Sequence, residues 1–493
     1  MPNTVEVLQP KKSDGLEVNR QNGRSIEGQT NQAFELTDVE SAQRPPPDYH
    51  KDTATSQAGG HGVDSEHPTT YLESIMHIFK GNVGPGLYAM GQAFYNGGII
   101  VSPILTILLG ITCVHSQHLL LKSAAKMKLK RPNTHHLPDF ADTVELCFTH
   151  GPLRFQRWAG VMRIAVNVFI CITQLGFCTV YFGFISNNLK QIYDFYGIHL
   201  DVRLHMLIIL LPILLPSLIR NLKYLAWCMT LANACMILGT CITTYYAVQE
   251  LPSISERNYF SSWGQLPLYF GTAIFAFEGI ALVLPLHNAM KKPSDFGRPL
   301  GVLNVGMCVV TLIFTFLGFV GYLKWGDNVK SSLTLNLPDD EVLAQSVKVM
   351  VSLGILLGYA LQFFIAIQIM LPTVLKRVSC GTNNPVLVEV IFRTMVVLVT
   401  FTVAESILNV GALISLIGAL CSTSLALVFP PVLELILGLA DKECRDSGQA
   451  DVTQRADRIG WFIWTKNIFI LALALFIFVT GTFESLEAIQ HKE

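Results

Sequence analysis

"HIFKGNVGPGLYAMG", residues 77–91, lies between two hydrophobic runs and yet gathers Gly81, Asn82, Gly84, Pro85 and Gly86 into six positions. Inside a helix each Gly costs about 1 kcal/mol relative to Ala, and a Pro about 3 kcal/mol. The stretch is therefore built to interrupt a helix. What the interruption serves depends on its surroundings. Of the 493 residues, 51% are hydrophobic and only 14% charged. A soluble domain carries about 25% charged residues, so the surroundings are a membrane. The formal net charge of -1 and the lack of a basic, aromatic-interleaved patch exclude a nucleic-acid partner.

Residues 1–68 are of another composition, rich in Gln, Asp, Glu, Ser, Thr, Gly and Pro and poor in aromatics. Such a segment buries too little apolar surface to offset its ordering entropy and reads as a disordered tail. Residues 69–489 read as the membrane domain, and 490–493 as a short end on the far side. A bilayer core needs about 20 apolar residues per helix, and about eleven such runs follow Tyr71. They cover 71–93, 97–122, 163–187, 204–219, 224–248, 267–287, 299–323, 344–372, 386–407, 409–437 and 461–485. Only Glu405 to Asn409 separates the ninth from the tenth.

Cations fix the direction. Lys122, Lys126, Lys128, Lys130, Arg131, Arg154 and Arg157 fall in one loop, and Arg220, Lys223, Lys291, Lys292, Lys376, Arg377 and Arg455 fall in loops on the same side. That side reads as cytosolic, and it is the side of the N-terminal tail. Most of the 11 cysteines lie within spans, Cys147, Cys380 and Cys444 fall in loops on the reducing side, and none falls in an outer loop. No structural disulfide is expected.

In lipid, non-helical backbone survives only beside protein or a wet cavity. The break at 81–86 therefore belongs to a cavity. Transporters built from inverted repeats interrupt the first helix of each repeat near the midplane. That device predicts a second break five spans on. The sixth run holds Phe277, Glu278 and Gly279 in the middle of an apolar stretch, with Pro285 following. The expected architecture is an all-α polytopic membrane protein with a five-plus-five inverted repeat, broken helices 1 and 6, and an eleventh span outside the repeat. Close packing of small residues is the competing reading of the glycines.

A helix N-terminus offers unsatisfied N–H groups and about half a positive charge, which suits a carboxylate. The opposite end offers carbonyls, which suit an ammonium group. Two broken helices side by side match a zwitterionic amino acid. A sugar would call for more amide and carboxyl side chains, and a cation channel for rings of acids. With Pro85 giving no N–H, the donors expected at the first break are Gly84, Gly86 and Leu87.

At these residues the chain resembles the proton-coupled amino acid transporter family, solute carrier family 36, of the amino acid/auxin permease group. The resemblance runs from Tyr71 to Ile489 and rests on "HIFKGNVGPGL" at 77–87, "TQLGFCTVYF" at 173–182, "FGTAIFAFEGIALVLPL" at 270–286, "LTLNLP" at 333–338 and "YALQFF" at 359–364. The variant "GPGLYAMGQAF" resembles its insect branch. The resemblance implies the leucine-transporter-like fold and secondary active transport of small neutral amino acids with a proton. It implies a proton-coupling role for His77, and substrate contacts at Gly81, Asn82, Gly84, Gly86, Phe277, Glu278 and Gly279. Pro85, Tyr88, Gln92 and His287 depart from the family pattern, as does the missing outer cysteine pair. These departures bear on substrate range and coupling rather than on fold.

Glu278 is an acid deep within a span, where ionisable groups are rare and usually functional. It is expected to handle substrate or proton. His77 titrates in the range between an acidic exterior and a neutral cytosol. A structural, interfacial role beside Lys80 is its alternative. Glu389 and Arg393 read as an i,i+4 ion pair. In the tail, Pro46, Pro47 and Tyr49 form a PPxY pattern of the kind docked by WW domains, which points to a ubiquitin ligase as partner. No P-loop, metal cluster or nucleophile constellation supports an enzyme. No cofactor is expected beyond a coupling proton. Alternatives are a low-capacity amino acid sensor and a sodium-coupled or facilitative carrier. With no acidic dileucine signal in either tail, the plasma membrane is the expected location and an endosomal or lysosomal membrane the alternative.

Overall fold

The computed structural model describes residues 68–131, 136–220, 222–378, 384–446 and 461–490. The tail motif at Pro46, Pro47 and Tyr49 lies outside them. The first span is α1 (Tyr71–Asn82) followed by α2 (Pro85–Gly97). Thr70 starts α1 through a capping box: its hydroxyl accepts from the Glu73 N–H at 3.4 Å, and the Glu73 carboxylate accepts from the Thr70 N–H at 2.7 Å. Pro85 occupies the first position of α2, where its missing N–H costs nothing.

There follow α3 (Val101–Lys128), α4 (Phe140–Thr149), α5 (Leu153–Gln156), α6 (Ala159–Phe195), α7 (Val202–Ser217) and α8 (Leu222–Ala247). The sixth span is α9 (Leu266–Ala276) and α10 (Ile280–Ala289). Then come α11 (Val302–Trp325), α12 (Val342–Arg377), α13 (Pro385–Ser406), α14 (Val410–Ile417), α15 (Phe429–Asp446), α16 (Trp461–Phe476) and α17 (Thr482–Gln490). Among the described residues eight of the expected spans are long and apolar enough to cross a membrane, and α7 is a shorter apolar helix; the expected ninth and tenth spans part cleanly at Ile407–Asn409. The described residues contain no strand, only an isolated bridge between Thr69 and Met290.

Four expected spans lie between the two broken ones, which therefore run in opposite directions. The break follows 12 helical residues in the first and 11 in the sixth. The third members of the two halves, α6 and α12, are the longest helices, of 37 and 36 residues, and they pack against each other. At about 1.5 Å per residue each exceeds the bilayer core by some 20 Å. These features are those expected of a five-plus-five inverted repeat. The eleventh span packs on α9 and α14, with Asn409 Nδ2 donating to Ala488 O at 3.1 Å.

Three features were not foreseen. The loop after α3 folds into α4, which Arg163 of α6 grips through Asp142 (2.8 Å) and Glu145 (2.7 Å). The tenth span carries two wide π turns, at Gly418–Ser422 and Ser424–Val428, between α14 and α15. The "LTLNLP" segment folds over the ends of α2 and α11, where Leu333 fills the space left by the absent side chains of Gly91 and Gly321. Lys348, fully buried, holds that segment through Asp339 and the Leu337 carbonyl. Glu389 and Arg393 do pair, at 2.9 Å, and the pair is buried rather than superficial: Arg220 adds a second cation at 2.8 Å, and Arg393 Nη1 donates to Ser217 O.

Candidate substrate site

The first break is a single extended turn of backbone. The Val83 N–H still donates to Phe79 O at 2.8 Å, and Gly84 then leaves the helix at φ -155°, ψ -152°. The sixth span breaks over Phe277 and Glu278, and Gly279 restarts the helix from φ -151°, ψ 3°. Of the three donors expected at the start of α2, Leu87 is committed, because its N–H donates to Gly84 O at 3.1 Å. The Gly84 and Gly86 N–H groups precede any intrahelical acceptor.

The two breaks lie against each other, and the glycines differ in what they do there. A Cβ on Gly86 would sit 2.8 Å from Ala276 Cα, and one on Gly81 would sit 2.7 Å from Leu282 Cδ1. A Cβ on Gly279 would fall 3.0 Å from the Asn82 amide nitrogen. These three glycines let the broken helices touch. Gly84 is different: its Cβ would meet only the Tyr181 hydroxyl, at 3.8 Å. Gly84 therefore faces the Tyr181 hydroxyl of α6 with room for one methyl group in ordinary contact. Tyr181 also borders Gly358 of α12, at 3.7 Å from the position of its Cβ. Tyr181 lies within "TQLGFCTVYF", where nothing local marks it as a site residue beyond a hydroxyl on an otherwise apolar aromatic run.

Beneath the breaks is a small cavity of about 20 Å³, bordered by Asn82, Gln117 and Gly279 with Ile78, Leu282 and Met307 as apolar wall. Asn82 Nδ2 donates to Ile78 O at 2.9 Å, which leaves its Oδ1 buried and unpaired. Gln117 Oε1 is likewise buried and unpaired. Glu278 is 5% exposed, and neither of its carboxyl oxygens has a hydrogen-bond partner. Phe277 is buried beside it and stacks obliquely on Phe314. Such unpaired buried polar atoms are uncommon and call for an explanation.

His77 stands apart. It is exposed on α1, while its neighbours Ile78 and Asn82 border the cavity. His287, half-buried, packs edge-on against Phe296 near the end of α10, away from the breaks. Among the described residues no group of His, Cys, Asp and Glu is arranged to hold a metal ion.

Two interrupted helices meeting at mid-span, with bare backbone at the first break, are the framework of a carrier, and the sequence match agrees. Residues 67–450 match the family described as transmembrane amino acid transporter protein. The chain belongs to that family. It is 35% identical over 420 residues to "Proton-coupled amino acid transporter-like protein pathetic" of Drosophila melanogaster, covering 85% of each chain. It is 26% identical over 429 residues to "Probable amino acid transporter skat-1" of Caenorhabditis elegans, covering 85% of this chain and 90% of that one. Among solved structures, the Eremococcus coleocola manganese transporter aligns with a TM-score of 0.44 at 11% identity, over 86% of this chain and 99% of that one. MhsT in complex with L-phenylalanine aligns with a TM-score of 0.43 at 13% identity, over 86% and 100%. The transporter is thus a multi-pass membrane carrier of amino acids and not an enzyme.

Proposed function

We propose that this transporter moves small neutral amino acids together with protons toward the cytosol. The observation that carries the reading is the meeting of the two breaks, where the Gly84 backbone, free of a side chain, faces the Tyr181 hydroxyl. The substrate carboxylate sits at the N-terminus of α2, on the Gly84 and Gly86 N–H groups, with Tyr181 donating from α6. The ammonium group meets the carbonyl ends of α1 and α9. A side chain larger than a few carbons would press on the aromatic pair Phe177 and Phe275, whose ring centroids are 4.6 Å apart.

The proton is carried by Glu278. A carboxylate buried without a partner would be an uncompensated charge in a low-dielectric site, so the closed carrier holds the neutral acid. His77, exposed on α1, is a second titratable group on the route. The name of the Drosophila relative supports proton coupling. The cation-rich loops support a cytosolic N-terminus, and the lack of an acidic dileucine signal in either tail favours the plasma membrane. The PPxY pattern of the tail recruits a WW-domain ubiquitin ligase, and Tyr49→Ala would lengthen residence at the surface.

Uptake of labelled alanine, glycine and proline by expressing cells, at acidic and neutral outside pH with and without sodium, tests the reading. Uptake is expected to rise with acidity and to be indifferent to sodium. Uptake that vanishes when choline replaces sodium at acid pH would overturn proton coupling.

A further inference from the structure

The carboxyl of Glu278 faces α3 and the first π turn of the tenth span. The groups around it are the Cys113 thiol from α3 and the Cys421 thiol and Ser422 hydroxyl from that turn. No Lys, Arg or His is among them. Ser422 is fully buried, and its Oγ has no hydrogen-bond partner. A buried acid and a buried hydroxyl thus lie beside each other, neither with any other hydrogen-bond partner. The turn that brings Ser422 there is held tightly. Thr423 Oγ1 donates five residues back to Gly418 O at 2.9 Å, and Gly418 packs against the Gly271 carbonyl of α9. Wide turns of this kind interrupt helices mostly at functional positions.

We infer that Ser422 is the positioning residue for the coupled proton: its hydroxyl accepts from the protonated Glu278 carboxyl and, after rotation, donates to the carboxylate. This inference rests on the reading of Glu278 as proton carrier. A hydroxyl suits the task because it is one donor and two acceptor lone pairs on a free rotor. A cation, which only donates, would favour the carboxylate. On release, the carboxyl O–H bond breaks and its proton passes to water entering from the cytosolic side. The serine proton stays on Oγ and only turns. The thiols of Cys113 and Cys421 are weak donors and leave Ser422 as the effective partner of the carboxylate.

The test is the outside-pH profile of uptake for the wild type, Ser422→Ala, Ser422→Cys and Glu278→Gln, each normalised to its level at the cell surface. Removing the donor disfavours the carboxylate, so the proton is bound at lower acidity. The midpoint of the Ser422→Ala profile is expected to move about one pH unit alkaline, a tenfold change in proton affinity. Its maximal rate should fall as release slows. Ser422→Cys, close in size but a weaker donor, is expected to move the midpoint less and in the same direction, and reads the effect should the alanine variant fail to reach the membrane. Glu278→Gln is expected to remove the pH dependence altogether. If Glu278→Gln abolishes it while both Ser422 variants keep the wild-type midpoint, the role of Ser422 is refuted and the carrier reading stands. If Glu278→Gln retains acid-driven uptake, the carrier reading itself falls.

Discussion

Alanine at Gly84 and at Gly86 should have opposite effects, because the two glycines face different things. A Cβ at Gly86 would sit 2.8 Å from the Ala276 Cα and 3.0 Å from its Cβ, and backbone cannot step aside as a flexible side chain can. The helices α2 and α9 would have to separate, at an overpacking cost of about 1–3 kcal/mol. A Cβ at Gly84 meets only the Tyr181 hydroxyl at 3.8 Å, and φ -155° is extended backbone that alanine adopts. Replacing this glycine should leave stability unchanged or raise it by about 0.4–1 kcal/mol through the unfolded chain. The same methyl group would occupy the space assigned to the substrate carboxylate. Losing one charge-assisted hydrogen bond there costs about 1.5–3 kcal/mol, or about a tenfold to 150-fold rise in KM. Thermal unfolding of the purified transporter in detergent, with and without alanine present, is paired with uptake kinetics. Gly86→Ala is expected to lower the melting temperature. Gly84→Ala should melt like the wild type, gain no stability from added alanine, and transport poorly. A Gly84→Ala transporter with wild-type KM would refute the carboxylate placement.

Tyr181→Phe removes only a hydroxyl, and KM should rise about tenfold with an unchanged melting temperature; an unaltered KM would release Tyr181 from the site. Amino acid methyl esters, which lack the anionic carboxylate, should fail to compete for uptake; effective competition would deny that α2 binds the carboxylate. The Lys348–Asp339 pair should be asymmetric, because Lys348 is fully buried whereas Asp339 is 42% exposed. Asp339→Asn strands a buried cation and should destabilise by about 3 kcal/mol, while Lys348→Met leaves a solvated acid and should cost less; equal losses in thermal unfolding would contradict this. His77→Ala should leave a clear pH dependence where Glu278→Gln leaves none, and the reverse outcome in the uptake profile would move the proton from the sixth span to the first.

The sequence by itself determined the helical, multi-span class, the two breaks and the family. Each rests on a local rule. Apolar runs of bilayer length mark spans, and clustered Gly and Pro cannot continue a helix whatever lies nearby. Asn82 and Glu278 stood out for the same reason, being polar residues in apolar runs. Tertiary structure alone decided the division of labour among the glycines. Gly81, Gly86 and Gly279 serve the contact between broken helices and Gly84 the side facing α6, a difference set by Leu282, Ala276, Asn82 and Tyr181 on other elements. Only packing could show that His77 is exposed while Asn82, five residues on, borders the cavity, since an α-helix carries both without a change of pattern. The π turns of the tenth span left no trace in composition. They place Ser422 opposite an acid more than a hundred residues earlier in the chain, a meeting that arises where helices cross and that no local pattern encodes.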